Sequence, residues 1–282
     1  MTIVIKIGGA AIEEPGILRV CAEAVAQLVR QGHRVAIVHG GGKTLSQTLQ
    51  QLGIKTEFVD GLRVTDAATR DVALMVLAGL VNKKLVAAIQ AAGVSALGLC
   101  GGDGKMFRAH KKEVIGRDLG FVGEIDKVDL QWLEAIWNRG GVAVLASVAI
   151  GEDGEYYNVN ADEMASACAA ACRAAMLVFL TDVSGVNDAS GRVIPSLSTD
   201  EIAALEANSV VSGGMLPKLR ACSYALQRGV GRVRILAATQ ADLLPSLHLI
   251  KDVVGTEVIR GDFHHPADVM KEGVRFEYST AK

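Results

Sequence analysis

Apolar residues in this chain come in short unbroken runs, separated by longer stretches in which they return every three or four positions. The first run, Ile3-Val4-Ile5-Lys6-Ile7, is β-branched and holds one lysine before Gly8-Gly9. Such runs read as strands of a parallel sheet buried on both faces. Runs at 35–38, 94–100, 142–150, 176–180 and 232–236 have the same character, and a shorter one lies at 255–259. The periodic stretches predict helices over 17–30, 43–51, from Thr65 or Asp66 to about 91, 130–138, onward from Ala161, 199–207 and about 216–228. Pro15 suits the opening of the first of these and Gly32 its end. Strand, helix, strand in this order is a right-handed parallel unit, and the order repeats after the helix at Ala161. The pattern therefore predicts an α/β fold.

Two stretches break the rhythm. Residues 106–115 mix polar and apolar types and read as an exposed hairpin that returns through Gly120-Phe121-Val122-Gly123. The basic residues there, Arg108, His110, Lys111 and Lys112, make either a solvated face or a substrate lid. From Gly261 to Lys282 the periodicity fades, which suggests an appended tail whose His264-His265-Pro266 leaves a metal site open.

Composition narrows the function. With 282 residues, half of them hydrophobic, the chain can bury one large core or two small ones. A net charge of −2 supplies no global basic field for nucleic acid or an anionic membrane. At 4% aromatic residues it lacks material for base-stacking platforms. No apolar run reaches the length of a membrane span, since the most apolar stretch, 164–180, is interrupted by Arg173. The N-terminus shows no basic n-region or cleavage pattern, so no signal peptide is expected. Five cysteines without a CxxC pair suggest reduced thiols and a cytoplasmic protein. Cys168 and Cys172, four apart, are either a chelating pair or buried small hydrophobes.

The candidate chemistry sits at strand ends. A lysine inside a buried run is costly unless its charge meets a partner. Lys6 followed by Gly8-Gly9 pairs an ammonium with bared N–H groups, which points to an anion; an edge lysine before an ordinary turn is the plainer option. His39-Gly40-Gly41-Gly42-Lys43-Thr44 imitates a P-loop, but Ile37 stands where its first glycine belongs, and Leu45 stands in place of the third dinucleotide glycine. What remains is a glycine turn feeding a helix N-terminus, either an anion site or a tight turn. Arg63, just before the cap of the long helix, suits a carboxylate or a solvated loop. Alternation puts Asn158 and Asn160 on one side of an extended segment; Asn160 can cap the next helix, with Asp162 in its first turn. Lys218 lies in the first turn of the helix after Ser212-Gly213-Gly214-Met215, where the dipole disfavours a cation, so either an anionic ligand or solvent must explain it. No paired carboxylates, His/Cys metal cluster or Gly-x-Ser-x-Gly elbow is evident. Phosphoryl transfer needs positive groups and positioning rather than a covalent side-chain intermediate, and those groups are present.

Six motifs carry a resemblance: Lys6-Ile-Gly-Gly, His39-Gly-Gly-Gly, Gly61-Leu-Arg-Val-Thr-Asp, Asn158-Val-Asn-Ala-Asp, Leu180-Thr-Asp-Val-Ser-Gly-Val and Gly213-Gly-Met-Leu-Pro-Lys218. Together, in order over about residues 2–260, they resemble the amino acid kinase family, and within it the members that phosphorylate N-acetyl-L-glutamate in arginine synthesis. The resemblance implies a three-layer αβα sandwich on an open, mostly parallel sheet. It implies an acetylglutamate-binding and dimerising lobe over 1–173, an ATP-binding lobe over 174–260 and a tail over 261–282. It also implies ATP as phosphoryl donor, with Mg2+ carried on the phosphates rather than in a protein cage. Lys6 would stabilise the migrating phosphoryl, Lys218 the leaving ADP, and Asp162 would hold both lysines. Gly8 and Gly9 would donate N–H groups to phosphate oxygens. Gly41, Gly42, Arg63 and Asn158 would contact the acetylglutamate. Asp182, Val183, Ser184, Gly185, Val186 and Asn187, with Val210, Val211 and Ser212, would border the nucleotide. Arginine-inhibited members resemble hexamers with an extra N-terminal helix and an acidic residue where this chain has Leu247, so the resemblance implies an uninhibited homodimer. A kinase for a longer, carrier-bound homologue and a non-catalytic amino-acid sensor are the competing expectations.

Overall fold

The computed structural model describes residues 1–188, 190–207, 214–247 and 254–261. The opening run forms β1 (Thr2–Ile7) and passes through Gly8 straight into a short helix, α1 (Gly9–Glu13). Pro15 opens α2 (Pro15–Arg30), since its fixed φ suits a first helical turn. Gly32, at φ +81°, reverses the chain into β2 (Arg34–His39). Three glycines then lead to α3 (Gly42–Gln51). A small hairpin of β3 (Phe58–Val59) and β4 (Leu62–Arg63) precedes α4 (Ala67–Ala73). Asp66, rather than Thr65, caps that helix: its Oδ1 accepts from the Thr69 N–H at 2.8 Å.

The long helix does not stay α-helical. Leu74–Val81 winds as a π-helix before α5 (Asn82–Ala91) resumes. By length and composition this stretch, Ala67–Ala91, meets the criteria for a membrane span, which the sequence pattern does not single out. One side of it, with Val72, Val76, Leu77, Val81, Leu85 and Ile89, is buried in the protein core.

There follow β5 (Ala96–Cys100), β6 (Phe107–Lys111), β7 (Val122–Val128), α6 (Gln131–Asn138), β8 (Val142–Ala146), β9 (Val148–Ile150), β10 (Tyr156–Val159) and α7 (Ala161–Ala171). The remainder is β11 (Met176–Thr181), β12 (Ser196–Ser198), α8 (Thr199–Ala207), α9 (Met215–Gln227), β13 (Arg232–Ala237), a 3-10 stretch Ala238–Ser246 and β14 (Thr256–Ile259).

Eight strands make one sheet in the order β12-β14-β13-β11-β1-β2-β8-β5, parallel at every junction except β13 with β14. One face packs Ile3, Ile5 and Ile7 against Cys21, Val25, Leu45 and Leu85 from α2, α3 and α5. The other packs Val4, Val38 and Phe179 against Met164, Cys168, Leu219 and Cys222 from α7 and α9. The fold is thus a three-layer αβα sandwich on a mostly parallel sheet. Lys6 follows the alternation of β1 onto the second face, toward α7 and α9.

Two expectations need correction. The run 142–150 is two strands, because the chain leaves the large sheet at Ser147 and β9 joins β6, β7 and β10 in a small closed barrel. The hairpin of β6 and β7 forms, but its root is core: Met106 and Phe107 are fully buried, while Ile115 at its tip is fully exposed. Its basic residues pair with acids, Lys111 with Asp118 and Lys112 with Glu163. Of the tail expected over 261–282, all but Gly261 lies outside the described residues, His264 and His265 included.

Candidate active site

Three charged side chains meet at the sheet centre. Lys6 Nζ lies 2.9 Å from Asp162 Oδ1, and Lys218 Nζ donates to Asp162 Oδ2 at 2.9 Å. Each comes from a different element: β1, the first turn of α7 and the first turn of α9. Asn160 builds the α7 corner, its Oδ1 accepting from the N–H groups of Asp162 and Glu163. Lys218 also sits 5.3 Å from the ring centre of Phe179. Lysine in a first helical turn opposes the dipole, and here the buried Asp162 carboxylate offsets that cost.

Two ammonium groups share the one Asp162 carboxylate, and the Asp182 carboxylate on the wall of the larger cavity also attracts Lys6. Burial pulls the Lys6 ammonium below its usual range, against the attraction of Asp162. Burial also opposes ionisation of Asp162, but the two ammonium groups outweigh it and hold its carboxyl below the usual carboxylate range. Two preorganised ammonium groups in a partly dry site form an arrangement that stabilises an incoming anion.

Asp162 and Lys6 stand between two cavities. The larger, about 650 Å³, is bordered by Gly8, Gly9, Lys218, Thr181, Asp182 and Gly214. The smaller, about 210 Å³, is bordered by Gly41, Gly42, Arg63, Asn158, Ser147 and Leu77. Lys6, Gly61, Asn160 and Asp162 line both. Lys218 lines only the larger.

In the smaller cavity Arg63 is 7% exposed, although it sits beside a loop. Its Nη2 donates to Ser46 Oγ at 2.7 Å and to Gly42 O at 3.2 Å, and its guanidinium lies over the Phe58 ring at 4.6 Å. Its Nη1 is buried with no hydrogen-bond partner. A buried guanidinium with an unused donor in a cavity wall has the chemistry for a carboxylate. Asn158 Nδ2 donates to Thr65 Oγ1 at 3.3 Å, which orients the amide beside it.

The two glycine turns touch. A Cβ on Gly9 would lie 3.3 Å from Gly41 Cα. Glu13, at the end of α1, ties the turns further: it accepts from Thr44 Oγ1 at 2.8 Å and pairs with Lys43 Nζ at 3.0 Å. Those contacts, with Lys43, hold the Glu13 carboxyl below its usual range despite some burial.

Not every expected group arrives. The Gly8 N–H is already spent on Leu180 O at 3.0 Å, so it is not a bare donor. The free N–H groups at this corner belong to the first turn of α1, beginning with Gly9. Asp182 and Val183 line the larger cavity, whereas Ser184, Gly185, Val186 and Asn187 do not. Val186 is buried, and its N–H donates to Thr256 Oγ1 at 2.8 Å. Val210, Val211 and Ser212 lie outside the described residues. Sequence reasoning passed over Ser147, Leu77 and Thr239 as wall residues; they carry no motif signal, and only the packing brings them there.

A lysine at the centre of a parallel sheet, a second at a helix head, and glycine turns on either side make an αβα scaffold for phosphoryl transfer. The chain belongs to the amino acid kinase family, whose profile matches residues 1–237. It is 60% identical to the acetylglutamate kinase of Acidobacterium capsulatum over 259 residues, 92% of this chain and 99% of that one. The acetylglutamate kinase of Koribacter versatilis is 57% identical over the same shares. Among solved structures, N-acetylglutamate synthase from Neisseria gonorrhoeae, complexed with coenzyme A and N-acetyl-glutamate, superposes with TM-score 0.81 at 24% identity, over 93% of this chain and 60% of that one. Giardia carbamate kinase superposes with TM-score 0.67 at 15% identity, over 92% and 99%. At such identities the structural likeness speaks for the fold alone.

Proposed function

We propose that this chain transfers the γ-phosphoryl group of ATP to the side-chain carboxylate of N-acetyl-L-glutamate, giving N-acetyl-L-glutamyl 5-phosphate for arginine synthesis. One observation carries the reading: two ammonium groups share one carboxylate on the wall between a large and a small cavity. The relatives above share the activity in name.

In the proposed step a carboxylate oxygen of the acceptor forms a bond to the γ-phosphorus. The bond from that phosphorus to the bridging oxygen breaks, and its electron pair leaves with ADP. No proton has to move, so no general base is required. Lys6, which borders both cavities, lies against the migrating group. Lys218, on the larger cavity only, neutralises charge on the departing diphosphate. Asp162 fixes the two ammonium groups and keeps them from repelling each other out of place. Gly9 offers its backbone N–H to the phosphates. Arg63 and Asn158 hold the α-carboxylate, and Gly41 and Gly42 receive the reacting end. Asp182 and Val183 border the nucleotide. Among the described residues no three His, Cys, Asp or Glu side chains cluster as a metal cage. We assign Mg2+ to the phosphates of the nucleotide, where it would supply charge neutralisation.

The lobe division follows the same line: residues 1–173 furnish the acceptor cavity and 174–260 most of the nucleotide cleft. Met75 and Leu80 on the π-helical segment and Leu97 on the edge strand β5 are about half exposed or more, which supports a homodimer through this apolar side. The five cysteines are free thiols, in keeping with a reducing cytoplasm.

The test is a coupled assay for ADP release with ATP, Mg2+ and N-acetyl-L-glutamate. Release that depends on acetylglutamate and gives a hydroxylamine-trappable acyl phosphate is the expected result. Release only with a longer dicarboxylic homologue, or none with any acid, sinks the proposal.

A further inference from the structure

His39 touches neither cavity, yet it is fully buried at the end of β2, directly before the Gly40–Gly42 turn. Both ring nitrogens are engaged. Nδ1 lies 2.8 Å from Gly40 O, and Nε2 lies 3.0 Å from Asn82 Nδ2. A carbonyl oxygen only accepts, so Nδ1 carries the proton and Nε2 accepts from the Asn82 amide. The orientation of Asn82 is fixed separately. Its Nδ2 also donates to Val144 O at 3.0 Å, and its Oδ1 accepts from Lys83 Nζ at 3.1 Å. Flipping the amide would turn Oδ1 toward a carbonyl and leave Lys83 facing a donor. Burial lowers the His39 pKa to about 4, so the ring is neutral through the working range of pH.

Asn82 is also the first residue past the π-helical segment. The wide turns of a π-helix shift the phase of every residue after them. The same segment presses on the glycine turn: a Cβ on Gly41 would lie 2.8 Å from Leu77 Cδ2 and 3.0 Å from Val81 Cγ2. The turn is thus gripped twice, by a hydrogen bond to the Gly40 carbonyl and by side-chain packing on Gly41. Its far side, at Gly41 and Gly42, is wall of the smaller cavity.

We propose that His39 and Asn82 are positioning residues: through the Gly40 carbonyl they hold the Gly41–Gly42 turn in the geometry that receives the acceptor carboxylate. This rests on the function proposed above. The effect belongs to the acceptor and not to the nucleotide, because the Gly40–Gly42 turn they hold lines the smaller cavity and not the larger.

The experiment measures ADP-release kinetics on the full chain with His39→Leu, Asn82→Leu, His39→Asn and His39→Gln, each checked for folding by circular dichroism. His39→Leu and Asn82→Leu should raise the acetylglutamate KM about tenfold, equivalent to ~1.4 kcal/mol, with the ATP KM within about twofold. His39→Asn places an amide N–H near the position of Nδ1–H and should restore most of the loss, whereas His39→Gln should not. If the leucine variants do not fold, the asparagine–glutamine pair decides: a lower acetylglutamate KM for asparagine supports the proposal, and equal values overturn it. Ring 15N spectra of the unsubstituted chain should show Nδ1 protonated, and an Nε2–H tautomer overturns the proposal. An unsubstituted chain inactive with acetylglutamate defeats the functional reading and this proposal together. An active chain whose His39→Leu variant keeps its acetylglutamate KM defeats this proposal alone.

Discussion

The two cavities on either side of Asp162 are built from different materials. In the smaller, buried Arg63 is braced on Ser46 and Gly42 and half-buried Asn158 leans on Thr65, with His39 and Asn82 behind the glycine turn. The larger sets glycines and alanines, Gly8, Gly9, Ala10, Gly214, Ala237 and Ala238, beside the charged Lys6, Asp162, Asp182 and Lys218. Fixed side-chain donors read the shape and charge of a small ligand closely. Glycine and alanine walls read a chain of phosphates through N–H groups and close approach. On the proposed function, specificity for the acid and affinity for the nucleotide are separable, with Lys6, Gly61, Asn160 and Asp162 on the wall common to both cavities.

That division can be broken, most forcefully at Lys6. Lys6→Ala should lower kcat on the order of a hundred- to a thousand-fold, as loss of a preorganised donor does elsewhere, with the fold retained because Asp162 keeps Lys218. Stopped-time ADP assays and circular dichroism check both parts; unchanged turnover removes Lys6 from its role. Arg63→Ala should raise the acetylglutamate KM by roughly ten- to a hundred-fold, the worth of a charge-assisted hydrogen bond of ~1.5–3 kcal/mol, and hardly move that of ATP. Equal changes in both constants would erase the distinction between the cavities.

Asp162 tests the shared wall through pH. Its folded pKa lies below the unfolded value, so the folded state holds the proton more weakly. Its stabilising contribution is complete above the unfolded pKa, about 3.9, and is lost as pH falls through the lower folded value. Thermal midpoints should therefore drop below about pH 4, and Asp162→Asn should lack that part of the slope. Gly41→Ala should act least: crowding against Leu77 and Val81 should cost about 1 kcal/mol in urea denaturation, with a small rise in the acetylglutamate KM. An ATP KM that rose as much would show that the two turns move as one.

Much of this was legible in the residues. The strands β1, β2, β11 and β13 announce themselves because a strand buried on both faces must be apolar throughout. Lys6 and Lys218 stand out because each breaks a local rule, a charge inside a buried run or a cation at a helix head, whereas Asp162 suits its helix head and stands out only within the Asn158–Asp162 motif. Their convergence on one point was implied by the family resemblance alone; the residues by themselves do not give it, since it depends on how three distant elements pack. The break at Ser147 was hidden because both halves of the 142–150 run are buried, one in the sheet and one in the barrel. The π-helical turns left no trace in a segment that is apolar nearly all round. His39 looked like part of a glycine motif, and only its two hydrogen bonds reveal what it holds.

The contact between Gly9 and Gly41, clipped by Glu13 to the head of α3, has one more consequence. The donor and acceptor turns abut with only van der Waals spacing between them, so the seam between them offers no slack. An acid longer by a single methylene has to accommodate its extra length at the opposite end, where Arg63 is already braced on Ser46. On the proposed function, chain-length selection then comes from a ruler with one end set by backbone and the other by a guanidinium.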